Sequence, residues 1–215
     1  MKDRARVVII GAGIVGASTA YHLAQSGCTD VLVVDQGLLF DTGGSTSHAP
    51  GGVFQVNYSK TMTDFARYTT QLYSGLESDG LPAWYPVGSL EVAWSNERLI
   101  DLRRKSGVAR SWGVAADLLS PQHANDLIPL LSSQIQGALH VPSDGIARAV
   151  RAVEAMASES ESMGVEFAGN VVVTGFDIVD GRIRGLQTSK GPIEAEQVLI
   201  ATGIWAPTTG AMAGI

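Results

Sequence analysis

A single cysteine, Cys28, rules out an internal disulfide and any metal cage built from cysteine ligands. Such scarcity suits a reducing compartment, and a cytoplasmic location is expected from it. Cations are also in short supply: 15 Lys and Arg face 21 Asp and Glu, leaving a net charge of -6. The sole basic cluster, Arg103-Arg104-Lys105, is accounted for by a solvated helix face, so binding to a nucleic-acid backbone is not expected. No apolar run approaches the roughly 20 residues of a membrane span. The polar start Met1 to Arg6, followed by a short apolar run, does not read as a signal peptide. Neither nucleic acid nor membrane is expected as a partner. Histidines number four, and nothing between Ala83 and Val141 has metal-ligand spacing, so no metal site is expected. Repeats and low-complexity tracts are also missing, yet 215 residues suffice to bury a sizeable core.

What is present begins at Val7-Val8-Ile9-Ile10, a β-branched run that suits a strand buried on both faces. It breaks into Gly11-Ala12-Gly13-Ile14-Val15-Gly16, a G-x-G-x-x-G loop that opens a helix over Ile14 to Gln25. In such a loop Gly11 makes the tight turn, Gly13 allows close approach to a pyrophosphate, and Gly16 lets helix and strand pack. The first helical turn offers free N–H groups and a positive dipole end, so the amides near Ile14 and Val15 face any anion there. A second buried strand, Val31-Leu32-Val33-Val34, ends in Asp35, 19 residues beyond Gly16. A carboxylate at that place accepts hydrogen bonds from ribose hydroxyls. Strand, loop, helix, strand and acid arrive in the order that a dinucleotide site requires.

Thr42 to Gly52 is rich in glycine and hydroxyl residues and carries one histidine, His48. It holds too few apolar side chains for a core segment. Paired glycines permit positive φ, and Ser45, Thr46 and Ser47 are suited to bond phosphate or to cap a helix. His48 has two readings on the residues alone: a polar loop residue, or an imidazole nucleophile held beside an electrophilic carbon.

Further along, Thr61 to Leu76 places Phe65, Tyr68, Leu72 and Leu76 at helical spacing, and its aromatics are expected in the core. Trp84 to Trp94 reads as a strand broken at Gly88. Ser95 caps a helix over Asn96 to Trp112, and Ser120-Pro121 opens another. Gln136 to Val141 is a short strand. Ser143-Asp144-Gly145 precedes a helix expected over Ile146 to Met163, with Asp144 either its cap or a functional group. Val171-Val172-Val173 begins a β region in which Asp180-Gly181 turns between two strands. Gln197 to Ile200 is expected as the last buried strand, before Ala201-Thr202-Gly203. Gly75 to Pro82 and Gly203 to Gly214 are expected to be flexible.

The glycine loop, Asp35-Gln36-Gly37, Gly43-Gly44-Ser45-Thr46-Ser47-His48-Ala49-Pro50-Gly51 and His140-Val141-Pro142-Ser143-Asp144-Gly145 together resemble the family of dimethylglycine oxidase, dimethylglycine dehydrogenase and sarcosine dehydrogenase. These are D-amino-acid-oxidase-like flavoenzymes, and the resemblance runs the whole chain. It implies an α/β fold with a Rossmann-type, FAD-binding parallel sheet and part of an antiparallel substrate-domain sheet. The implied segments are 1–82 and 143–215 for FAD and 83–142 for the substrate domain.

By matching position, His48 would carry the flavin covalently at its 8α carbon. Ile14 and Val15 would meet the pyrophosphate, Asp35 and Gln36 the adenosine ribose, and Ser45, Thr46 and Ser47 the phosphates. Gly52 would lie beside the flavin and Val173 against the adenine, while Ala201-Thr202-Gly203 looks like the loop that closes over the nucleotide in many FAD enzymes. The implied reaction is oxidation of an N-methylated glycine, dimethylglycine or sarcosine. Its product iminium would be hydrolysed or passed to tetrahydrofolate, a cofactor of the full-length parent. Oxygen or an electron-transfer protein would reoxidise the flavin. The family extends well beyond Ile215, so the chain is expected to be an N-terminal fragment, and no acid–base residue is assigned within it. Two rivals stand beside this reading: a reductase with noncovalent FAD or NAD, and a nucleotide-binding fragment without activity.

Overall fold

Residues 1–40 and 43–215 are described by a computed structural model, and Thr42, at the head of the glycine- and hydroxyl-rich segment, lies outside them. Two compact units are formed, one of Met1–Ala49, Leu76–Leu81 and Ala149–Ile215, the other of Pro50–Gly75 and Pro82–Arg148.

The first unit contains β1 (Arg4–Ile10), α1 (Ile14–Gln25), β2 (Val31–Val34), α2 (Ala149–Ser162), β3 (Glu166–Ala168), β4 (Val173–Val179), β5 (Arg182–Thr188), β6 (Ile193–Ile200) and α3 (Ala206–Met212). Its sheet runs β3-β2-β1-β6-β5-β4. The first four strands are parallel, and β5 and β4 continue it antiparallel. The β-branched runs form the middle of this sheet because both of their faces are covered. On one side Val7, Ile9, Val31 and Val33 meet Ala17, Ala20 and Ala24 of α1 and Val153 and Ala157 of α2. On the other, Val8, Ile10, Leu32 and Val34 meet Leu186 and Ile193. Each fully buried aliphatic side chain contributes about 1.5–3 kcal/mol, and all four residues of β2 are fully buried.

Asp180 and Gly181 both take positive φ, 52° and 71°, as a two-residue hairpin turn of the mirror-image type demands. β6 differs from its expected form. It spans Ile193–Ile200 and buries its early residues Ile193 and Ala195, whereas Gln197 is exposed and Val198 to Ile200 are half-buried. Ile200 stands at the carboxyl end of the strand, where it is half-buried against the core around Val8, Ile10 and Val34 and also lines a cavity.

In the second unit, Gly145–Ala147 pairs antiparallel with Gly52–Val53 on one side and Trp84–Tyr85 on the other. A separate sheet places Gly137–Val141 between Ser89–Ala93 and Asp117–Leu119. The helix Asn96–Ser111 lays Leu102 and Ala109 on Leu139 and Val141 of that sheet. Ser95 and Ser120 are caps, their side chains accepting the N–H of Arg98 and of His123.

Two expectations fail in this unit. The helix expected from Ile146 begins at Ala149, because Gly145–Ala147 is held as a central strand. Asp144 is therefore no helix cap. Phe65 and Tyr68, expected in the core, are 62% and 51% exposed, and the residues buried along Lys60–Ser74 are Thr63 and Thr70. Periodicity revealed an amphipathic helix but not which side is covered. The covered side carries hydroxyls whose hydrogens go to nearby carbonyls, those of Asn57 and Arg67.

Candidate functional site

The glycine loop follows β1 and delivers the chain into α1 across the carboxyl end of the sheet. Gly11 takes φ 108°, and a Cβ there would stand 2.5 Å from the carbonyl oxygen of Ala201. A Cβ on Gly16 would overlap the carbonyl oxygen of Gly11. These two positions are glycine because backbone crosses backbone there. The first intrahelical bond of α1 runs from the Ala17 N–H to Gly13 C=O at 2.9 Å, so the amides of Ile14, Val15 and Gly16 precede the helix's own ladder.

Asp35, 9% exposed, follows β2. Its Oδ2 accepts the Ala12 N–H at 2.8 Å and its Oδ1 accepts the Gly37 N–H at 2.9 Å. The carboxylate thus fastens the glycine loop to the end of the second strand. Sequence reasoning gives it a ribose; the Asp-x-Gly spacing signals only its bond to Gly37, while the bond to Ala12 has no local signal.

Residues 44–49 form a turn closed by the Ser47 hydroxyl, which donates to Gly44 C=O at 2.9 Å. Nδ1 of His48 lies 3.0 Å from the same carbonyl. A carbonyl only accepts, so in the neutral ring Nδ1 carries the hydrogen and the lone pair sits on Nε2. The His48 side chain is exposed at the surface of the unit. Thr46 turns the other way, its Oγ1 accepting the Ile14 N–H at 3.0 Å.

Around this loop lies a cavity of about 450 Å³, a size usual for small-molecule sites. It brings together Gly11, Gly13, Ile14, Val15, Asp35, Gln36, Ser45, Thr46 and Val173. Gly16 lies behind it as a packing residue, and neither Ser47 nor His48 lines it. Gly52 belongs to the second unit, opposite Ile146. The far wall holds residues that the sequence reading had not assigned: Val171, Val172, Ile204, Trp205, Thr208, Thr209 and Met212. Gly203 to Gly214, expected to be flexible, instead forms a 3-10 turn at Gly203–Trp205 followed by α3. Pro207 in its first turn was the legible signal.

Among the described lining residues Asp35 alone carries a charge. An anion here is met by backbone N–H groups and the dipole of α1, not by a cationic side chain. Burial or hydrogen bonding displaces other titrating groups outside the cavity: burial raises the Tyr73 phenol, and donation to Asp101 raises that of Tyr58. No helix among the described residues is long and apolar enough to cross a membrane.

A parallel sheet whose glycine loop and second-strand acid meet at one cavity defines a dinucleotide-binding protein. Residues 6–215 match the family described as FAD dependent oxidoreductase (DAO), and the chain belongs to it. It is 34% identical over 213 residues to the 4-methylaminobutanoate oxidase (formaldehyde-forming) of Paenarthrobacter nicotinovorans, covering 98% of this chain and 26% of that protein. It is 33% identical over 210 residues to the mitochondrial pyruvate dehydrogenase phosphatase regulatory subunit of Mus musculus, covering 96% and 24%. Mitochondrial sarcosine dehydrogenase of Homo sapiens is 30% identical over 224 residues, covering 100% and 24%. The chain thus spans about a quarter of the length of these curated relatives. Among solved structures, L-proline dehydrogenase from P. horikoshii superposes with a TM-score of 0.89 at 27% identity, covering 100% of this chain and 57% of that one.

Proposed function

We propose that this chain holds FAD for the oxidation of an N-methylated amino acid, dimethylglycine or sarcosine, with the flavin tethered through His48. The observation that carries the proposal is the meeting of glycine loop, Asp35, Gly44 to Thr46 and Ala201 to Met212 on one cavity. In this reading the first-turn amides of α1 take the pyrophosphate. Asp35 and Gln36 stand at the ribose, Ser45, Thr46 and Ser47 at the phosphates, Val173 at the adenine, and Gly52 beside the ring. Segments 1–82 and 143–215 serve FAD, and 83–142 belongs to a substrate domain. The loop fits the group, because Gly11, Gly13, Ile14 and Val15 border the cavity where the first-turn amides precede the ladder of α1.

The bound flavin supplies the two-electron oxidation of the amine. The chain's own part is to hold and orient. It fixes the diphosphate by backbone donors, and it keeps Nε2 of His48 free for the tether by engaging Nδ1 with Gly44 C=O. Tetrahydrofolate as one-carbon acceptor, and oxygen or an electron-transfer protein as oxidant, complete the proposed cycle of the full-length parent. No acid–base residue is assigned to this chain.

The test is His48→Ala in the full-length gene product. Acid-stable flavin should vanish while some noncovalent FAD remains, and in wild type the flavin mass should map to the tryptic peptide containing His48. Flavin on any other peptide overturns the assignment. A second reading, nucleotide binding without turnover, draws support from the relative named as a regulatory subunit. Under it the protein would hold flavin yet give no turnover with dimethylglycine or sarcosine under either oxygen or an artificial acceptor.

A further inference from the structure

We infer that Thr46 is a positioning residue whose hydroxyl latches the His48 turn onto the first turn of α1, and that the latch governs attachment of the flavin. The inference rests on the proposed tether at His48.

α1 has no side-chain N-cap: its cap is Gly13, which makes no such bond. The missing acceptor comes instead from 32 residues downstream, where Thr46 Oγ1 takes the Ile14 N–H at 3.0 Å. Gly13 is shaped for this visitor, since a Cβ there would stand 3.2 Å from the same oxygen. The turn that carries Thr46 is closed on itself at Gly44 C=O by the Ser47 hydroxyl and by His48 Nδ1. It is therefore braced on itself, with Thr46 bonded to Ile14 and His48, two residues on, exposed. Fastening Thr46 to Ile14 sets where the imidazole stands relative to the nucleotide loop.

Attachment is separated from affinity by following it at saturating FAD, where every chain carries bound flavin. Attachment itself breaks one C–H bond of the flavin 8-methyl group and the imidazole N–H and makes one C–N bond. The two electrons and two protons released leave with dioxygen as hydrogen peroxide.

The experiment uses the full-length apoprotein, reconstituted with FAD in air, followed for total bound flavin and for flavin that survives acid precipitation. At saturating FAD, Thr46→Val should attach flavin roughly fivefold more slowly than wild type, the scale of one lost capping bond. Thr46→Ser should restore the rate to within about twofold of wild type. Equal rates in Thr46→Val and wild type overturn the latch, as does a Thr46→Ser variant as slow as Thr46→Val. Amide hydrogen exchange on wild-type apoprotein gives a reading that needs no variant to fold: Ile14 should exchange more slowly than Val15, and an Ile14 amide that exchanges as a free one overturns the latch. Wild type that carries no acid-stable flavin strikes instead at the tether, whatever the exchange of Ile14 shows.

Discussion

Asp35 and Asp144 are both buried carboxylates, one in each unit, and they are supported differently. Asp144, 2% exposed, accepts the Gln55 N–H at 2.9 Å, the Ser89 hydroxyl at 2.6 Å and the Gln55 side-chain amide at 3.3 Å. It joins segments that are distant in sequence, and these contacts fill its oxygens within the unit. Asp35 accepts two backbone N–H groups and still borders the cavity. The lesson is that a buried acid rich in donors is not by itself a binding group. Both acids border a cavity, so open volume alone does not separate them; Asp35 is held by two backbone N–H groups, whereas Asp144 also takes the Ser89 hydroxyl and the Gln55 side-chain amide.

The largest effect expected from this contrast is at Asp144. Asp144→Ala strands the Gln55 amide and the Ser89 hydroxyl, each costing about 1–3 kcal/mol when left unsatisfied in the interior. Together these lower the melting temperature by roughly 10 °C for a chain of this size. Thermal melts followed by circular dichroism decide it, and a shift smaller than that of Asp35→Ala would reverse the comparison.

Next in size is Asp35 itself. Losing its charge-assisted bonds, worth about 1.5–3 kcal/mol, should weaken FAD binding roughly ten- to a hundredfold. Titration of apoprotein measures this. Unchanged affinity in Asp35→Ala would make the residue as purely architectural as Asp144.

The smallest effect belongs to a third carboxylate with poorer support. Burial raises the Glu161 pKa above its ordinary value, and Glu166 adds to the rise, while the Phe167 N–H opposes it. With the folded value raised, ionising Glu161 costs more in the folded than in the unfolded chain. Stability is therefore lost as pH climbs from the ordinary carboxylate range through the folded value. Glu161→Gln should melt slightly higher at neutral pH and show no such gain below the ordinary carboxylate range. An equal gain at both pH values would mean that packing, not charge, sets the difference.

Much of the first unit was legible because its signals are local. Val7 to Ile10 and Val31 to Val34 could be buried on both faces only inside a sheet, and the glycine loop between them fixed strand, turn and helix in order. Ser95, Ser120 and the Asp180-Gly181 turn were equally local, since a cap or a mirror-image turn is decided within four residues. The amino-acid sequence by itself thus determined the two buried strands, the helix α1 between them, the dinucleotide loop and the family resemblance.

Long-range contacts decided the rest. Gly145–Ala147 became a strand because Gly52–Val53 and Trp84–Tyr85 flank it, which no local pattern reveals. Phe65 and Tyr68 went outward because helical periodicity marks an apolar side without saying what packs against it. The Asp35 bond to Ala12 and the Thr46 bond to Ile14 span 23 and 32 residues, and both use backbone N–H groups that carry no side-chain signature. Every residue but proline offers such a donor, so which one is met depends on where the folded chain brings an oxygen.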